Sequence, residues 1–199
     1  RAAELEKEFG QADVATHYQA LANNLIKIIR EKAWDGDKEL FRDGLESRTF
    51  SQQTNTMAIL VGAVPDADKA AVMQKVLDDK SITQSTYYFS YYVLEALREA
   101  GMADRYIEQL GPWQEMLAIG LTTTPEQPAP SRTDSHAWAA HPNYGLLATV
   151  LGIRPAEPGF KSVEIKPELG ALKHATGIMP HPMGEIEVSV VRNGENGVK

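Results

Sequence analysis

The sequence predicts a mainly α-helical protein that ends in antiparallel β-structure. Apolar residues recur at three- and four-residue spacing up to about residue 151, which is typical of amphipathic helices. Beyond that point, KSVEIKPEL and GEIEVSVVRNG alternate apolar and polar residues, which is typical of strands. Between the two patterns lies a turn-rich linker, RPAEPG. We therefore predict a helical domain over residues 1–153 and the beginning of a β domain over residues 154–199.

The helical part divides into hairpins of neighbouring helices with short connections. The longest helix is predicted to start at Asp13 as its N-cap and to end near Trp34. Its apolar residues form one predicted buried stripe: Val14, Tyr18, Leu21, Leu25, Ile28 and Ile29. Further helices are predicted after Ser51, from Asp66, over residues 81–100 before Gly101, from Pro112, and from Asp134 or Ser135 to about Leu151.

Composition excludes several classes of function. The net charge of -7, with scattered Lys and Arg residues, argues against nucleic acid as a partner. No apolar run is long enough to span a membrane, and the lack of cysteine excludes disulfides and thiolate chemistry. The first residues, RAAE, lack an initiator Met and a signal segment, so we expect a piece of a longer protein, whose compartment stays open.

Groups capable of chemistry are concentrated in residues 122–142, TTTPEQPAPSRTDSHAWAAHP. Glu126 is flanked by prolines at 125, 128 and 130, which restrict the loop and favour a fixed carboxylate, such as a general base. The alternative is an ordinary solvent-facing acid. The structural interpretation of Asp134 is a capping cluster, in which it accepts helix N–H bonds and pairs with Arg132.

His136 has two interpretations, a buried hydrogen-bonded imidazole or a contact to a ligand hydroxyl. A metal site is not predicted, because His136 and His141 are five residues apart and no third ligand has suitable spacing. The sequence also lacks a G-x-S-x-G elbow and a glycine-rich phosphate loop, and no cofactor is predicted.

Two further groups are candidate sugar-binding residues. Tyr88 and Tyr92 belong to a tyrosine-rich helix whose aromatic residues cannot all face one core, and tyrosines with one solvated end commonly line sugar sites. Core packing is the alternative. Gln53 and Asn55, near the start of an apolar helix, either face a ligand or bond locally to the backbone.

Several segments together resemble the C-terminal part of the large bacterial family of inverting α-L-rhamnosidases. They are KAWDGDKELFRDG, FSQQTNTMAIL, YYFSYYVLEALREAG, GLTTTPEQ, SRTDSHAWAAHPNYGLLATVLGIRP and PGFKSVEIKPELGAL. The resemblance covers nearly the whole chain in order. Its most specific part is the Thr-Thr…Glu loop followed by Ser-Arg-x-Asp-x-His-Ala-Trp, although Pro125 stands where the family often has an aromatic residue.

The resemblance implies the C-terminal half of an (α/α)6 barrel, followed by the start of an antiparallel β-sandwich. It also implies that Glu126 is the general base, that His136 contacts substrate and that Trp138 lies beside it in the sugar pocket. The expected partners are a rhamnose-containing glycoside and the missing N-terminal half of the same protein, which would supply the general acid. The chain alone would then be inactive.

Two alternatives remain. The first is another (α/α)-barrel glycosidase or a polysaccharide lyase. The second is a carbohydrate-binding or scaffold module without catalysis.

Overall fold

The computed structural model describes residues 1–130, 133–194 and 197–198. The chain forms two compact units, Arg1–Gln84 and Ser85–Lys199. The predicted domain boundary after residue 153 lies within the second unit and stays a prediction. In the described part of the chain, no helix is both long and apolar enough to cross a bilayer.

The first unit is helical with one small hairpin. Its elements are α1 (Ala2–Phe9), α2 (Ala12–Ala33), β1 (Trp34–Asp35), β2 (Leu40–Phe41), α3 (Gln52–Leu60), a 3-10 turn (Asp66–Asp68) and α4 (Lys69–Asp78). β1 and β2 pair antiparallel, and the ring centroids of Trp34 and Phe41 lie 5.0 Å apart across them. The core of this unit contains Leu40, Phe41, Ile59, Val72, Met73 and Val76.

Helix α2 has nearly the predicted length, but its predicted cap and buried stripe are wrong. Gln11 is the N-cap and makes no side-chain cap bond, while Asp13 lies in the first turn, where its charge favours the helix dipole. Ala15 is the one buried residue of α2. The predicted stripe is largely exposed, because the described elements leave that face open: Tyr18 38%, Leu21 46%, Leu25 50%, Ile28 42% and Ile29 37%.

Polar side chains fix the start of α3. Ser51 caps the helix by accepting a hydrogen bond from Thr54 N at 3.1 Å. Asp43 Oδ1 accepts from Ser51 Oγ at 2.5 Å and from Thr54 Oγ1 at 2.7 Å. Burial raises the pKa of Asp43, but hydrogen bonds from Ser51, Thr54 and Thr49 outweigh it and leave the pKa below its ordinary value.

The second unit contains helices followed by strands. Its helical elements are α5 (Ser90–Glu99), 3-10 turns at Ala103–Arg105 and Ile107–Leu110, α6 (Gly111–Ala118), a 3-10 turn at Ala137–Ala140, α7 (Pro142–Gly145) and a π-helical turn at Leu146–Val150. Its strands are β3 (Ile153–Pro155), β4 (Val163–Ile165), β5 (His174–His181), β6 (Gly184–Asn193) and β7 (Gly197–Val198), with a 3-10 turn at Pro158–Phe160.

The tyrosine-rich helix is shorter than predicted. α5 begins at Ser90, so Tyr87 and Tyr88 precede it in a turn. Its predicted end is confirmed, because Gly101 has a φ of 71°, a conformation that glycine adopts without strain. Pro112 lies in the first turn of α6, as predicted.

The predicted cap of the last helix is also wrong. The 3-10 turn starts after His136, whose side chain makes no cap bond, and residues 137–150 form three short pieces instead of one helix. Pro142 explains one break, because proline has no backbone N–H to continue the hydrogen-bond ladder and suits the first turn of a new helix.

The strands predicted around residues 161–169 and 184–194 are confirmed in β4 and β6, whereas β3, β5 and β7 were not predicted. β3 pairs with β4, and β5, β6 and β7 form a second antiparallel sheet. The predicted Asn-Gly turn is present after β6, with a φ of 73° at Gly194. Gly152 enters β3 with a φ of 69°, and a Cβ there would lie 1.9 Å from the Lys166 carbonyl oxygen.

Candidate functional site

The loop that carries Glu126 is held by hydrogen bonds between its two arms. Glu126 N donates to Thr133 O at 3.0 Å, and His136 N donates to Thr124 O at 2.8 Å. The Thr124 hydroxyl donates to His136 O at 2.5 Å. Glu126 and His136 therefore lie on opposite arms of one loop, and their backbones are fixed relative to each other.

A small core anchors the base of this loop. Tyr87, Met116 and Ala139 are buried together, with Trp113 and Leu121 packed against them. Trp113 Nε1 donates to Ala139 O at 2.7 Å, and Leu121 N donates to Met116 O at 3.0 Å. Both ends of the loop are thus attached to α6.

His141 joins the same core to the turn before α5. Its Nε2 lies 3.0 Å from Tyr87 O, and because a carbonyl only accepts, that nitrogen carries the proton. The ring packs edge-on against Trp113 at 5.1 Å and Tyr91 at 5.8 Å between centroids. Burial lowers the pKa of His141, and the bond to the Tyr87 carbonyl offsets part of that effect.

Four of the predicted substrate-binding residues form a continuous aromatic row. Ring centroids are 4.6 Å apart for His136 and Trp138, 5.5 Å for Trp138 and Tyr88, and 6.4 Å for Tyr88 and Tyr92. Tyr88 is 48% exposed and Trp138 is 50% exposed. Such half-exposed rings can pack on the C–H face of a sugar while their polar atoms stay accessible.

The polar groups beside this row are shielded from water. Glu126 is partly buried and its Oε2 atom is inaccessible to solvent, which differs from an ordinary solvated loop acid. Nδ1 of His136 is also inaccessible and has no hydrogen-bond partner among the described residues. A buried polar nitrogen without a hydrogen-bond partner is uncommon in folded proteins.

Gln53 and Asn55 lie in the first unit. Asn55 is fully buried, and its amide donates to Ser51 O, which is the local bonding considered as the alternative. The same amide also bonds to the backbone of Phe41 in β2. Gln53 lines a cavity of about 480 Å³. A substrate contact for either residue stays a prediction. The alternative pairing of Asp134 with Arg132 lies outside the described residues.

The second unit contains an ion pair that was not predicted from the sequence. Arg154 Nη2 donates to Glu95 Oε1 at 2.9 Å, and Nη1 donates to Glu95 Oε2 at 3.2 Å. Both side chains are largely buried, at 17% and 18% exposure. Burial lowers the pKa of Arg154, but the Glu95 carboxylate more than offsets this and raises it. Its only sequence signal is a glutamate within the apolar part of α5.

No metal site is formed by the part of the chain that the structure describes, since no three His, Asp or Glu side chains converge there. The candidate groups that the second unit presents are a partly buried carboxylate, an imidazole and exposed aromatic rings.

Comparison with known proteins shows what the chain is similar to. Residues 152–198 match the family "Bacterial alpha-L-rhamnosidase C-terminal domain". An alpha-L-rhamnosidase of Alteromonas sp. (strain LOR) is 26% identical over 211 residues, covering 92% of this chain and 22% of the relative. The GH78 family rhamnosidase of Bacillus sp. GL1 has a TM-score of 0.85 and 26% identity, over 95% of this chain and 22% of that one.

A more distant structure shares the fold. The alpha-L-rhamnosidase of Streptomyces avermitilis, solved with L-rhamnose, has a TM-score of 0.74 and 19% identity, over 96% of this chain and 20% of that one. The chain is thus similar to part of a glycoside hydrolase. More specifically, it is α-L-rhamnosidase-like, and it spans about 22% of the length of the curated relative that it matches.

Proposed function

We propose that this chain contributes the general base of an inverting α-L-rhamnosidase and that Glu126 is that base. The observation that carries the proposal is the arrangement of the 122–136 loop. It holds a partly buried carboxylate opposite His136, and His136 begins the aromatic row. The similarity to rhamnosidases supplies the substrate class.

In this mechanism Glu126 accepts a proton from a water molecule that attacks the anomeric carbon of a terminal rhamnose. A second carboxylic acid, on the opposite face of the sugar, protonates the leaving oxygen, and the two groups are roughly 6.5–9.5 Å apart. We assign that acid to a part of the enzyme outside these 199 residues. The helical hairpins would form part of an (α/α)6 barrel, and strands β3–β7 would begin a β-sandwich.

The sugar would bind along the aromatic row. Rhamnose is neutral and carries an apolar methyl group, so it suits rings such as Trp138 and Tyr88, with Tyr92 behind them. His136 would contact the sugar as the first ring of this row. A neutral ligand is also compatible with the acidic balance of the chain.

Substituting Glu126→Gln in the complete enzyme tests the proposal. We expect kcat on an aryl α-L-rhamnoside to fall about a hundredfold or more, because the attacking water loses its base, while KM changes little. The exposed Glu157, changed to Gln, is the matched control and should leave kcat unchanged. NMR of the reaction should show that the rhamnose first released has the anomeric configuration opposite to that of the substrate.

Each alternative function has its own outcome in this test. Unchanged turnover in the Glu126→Gln enzyme would favour a binding or scaffold module. Cleavage of an acidic polysaccharide, and not of rhamnosides, would favour a lyase.

A further inference from the structure

Arg154 joins two segments that carry the aromatic row. Its guanidinium holds Glu95 of α5 through two hydrogen bonds. The same group donates from Nε to Ala148 O at 2.7 Å and from Nη2 to Thr149 Oγ1 at 3.1 Å, both in the π-helical turn. It also lies over the Tyr144 ring, 5.9 Å from the centroid.

The two segments joined in this way are those that bring Tyr88 and Trp138 together. Tyr92 is three residues before Glu95 on α5, and Tyr88 lies two residues before the start of that helix. The π-helical turn continues the segment that starts with His136 and Trp138. The ring contact between Tyr88 and Trp138, 5.5 Å between centroids, is a second connection between the same two segments.

We propose that Arg154 is a positioning residue for the sugar site, through which strand β3 sets the separation of the Tyr88 and Trp138 rings. The inference rests on the proposed function, because it concerns the same aromatic row. Strand β3 would then contribute to substrate binding indirectly, because Arg154 does not itself contact the sugar.

The geometry explains why arginine is required at this position. Its planar fork satisfies both carboxylate oxygens of Glu95 while Nε reaches a carbonyl in another direction. A lysine keeps the charge but bonds to fewer of these groups. Because it lacks the planar fork of arginine, it would leave α5 free to shift. Small displacements of the groups that bind a substrate have large effects on kcat/KM.

The test uses the complete enzyme with Arg154→Lys, Glu95→Gln and the double variant. We expect each single substitution to lower kcat/KM by about tenfold, mainly through KM, at a temperature where all variants are folded. The double variant should be no worse than the poorer single variant, because both remove the same interaction. Arg105→Lys is the matched control, since Arg105 makes an ion pair of the same length, 2.9 Å, with Glu108.

A second readout does not depend on activity. In enzyme labelled with 5-fluorotryptophan, the Trp138 resonance is assigned by its absence in Trp138→Phe. Arg154→Lys should shift that resonance and Arg105→Lys should not. A lower melting temperature with unchanged KM and an unshifted resonance would overturn the inference, even where Glu126→Gln abolishes turnover. A shifted resonance in an enzyme indifferent to Glu126→Gln would instead reject the proposed function and keep the positioning role.

Discussion

The packing of Tyr106 against Gly145 leaves no room for a side chain at position 145. A Cβ placed on Gly145 would lie 1.8 Å from the Tyr106 hydroxyl oxygen and 2.4 Å from its Cζ. Tyr106 is 2% exposed, and burial raises the pKa of its hydroxyl. The tyrosine ring occupies the space that a Cβ would need, and because the ring is buried it cannot move aside into solvent. The constraint on Gly145 is therefore steric.

We predict that Gly145→Ala lowers the free energy of unfolding by roughly 1–3 kcal/mol, the usual cost of overpacking a core. Urea denaturation measures the effect. Tyr106→Phe in the same chain should recover part of the loss, because it removes the nearest atom. Gly111→Ala is the control, since no atom lies within 4 Å of its added Cβ. Equal effects of the two alanine substitutions would contradict the steric explanation.

Between elements, single side chains make the connections that hold the site loop. His141 links the turn before α5 to α6, through its bond to Tyr87 O and its ring contact with Trp113. Its folded pKa is lower than the ordinary value of 6.5. Between these two pKa values the unfolded chain binds a proton that the folded chain does not, so stability falls as the pH drops below about 6.5.

We therefore predict that His141→Gln makes the melting temperature less dependent on pH between 7.5 and 5.5. Each tenfold weakening of proton binding in the folded state costs about 1.4 kcal/mol at low pH, and glutamine cannot take up the proton. His17→Gln, at an exposed position on α2, is the control. A pH dependence in His141→Gln as steep as that of the wild type would rule out this role.

The sequence located most helices and two strands of this chain, but it placed several of their ends wrongly. Periodicity identified α2, α3, α4 and α6, because amphipathic spacing is a local property. It could not show that the apolar face of α2 is exposed, since burial depends on what packs against a face. It also merged residues 135–151 into one helix, although Pro142 starts a new turn there.

For the whole molecule, the decisive question is whether both catalytic groups are present. We predict that the 199-residue chain alone does not hydrolyse an aryl α-L-rhamnoside, because an inverting reaction needs an acid and a base on opposite faces of the sugar. The complete enzyme, assayed alongside, is the control. Turnover by the isolated chain that is lost in Glu126→Gln would show that its acid lies within these residues.

The sequence by itself determined that helices come first and strands last, which chemical groups lie in the 122–142 loop, and the likeness to rhamnosidases, because each depends on residue type and spacing along the chain. Tertiary structure decided which of these groups meet. The row from His136 to Tyr92 and the fork between Arg154 and Glu95 join residues far apart in the chain, and only packing brings such residues within contact distance.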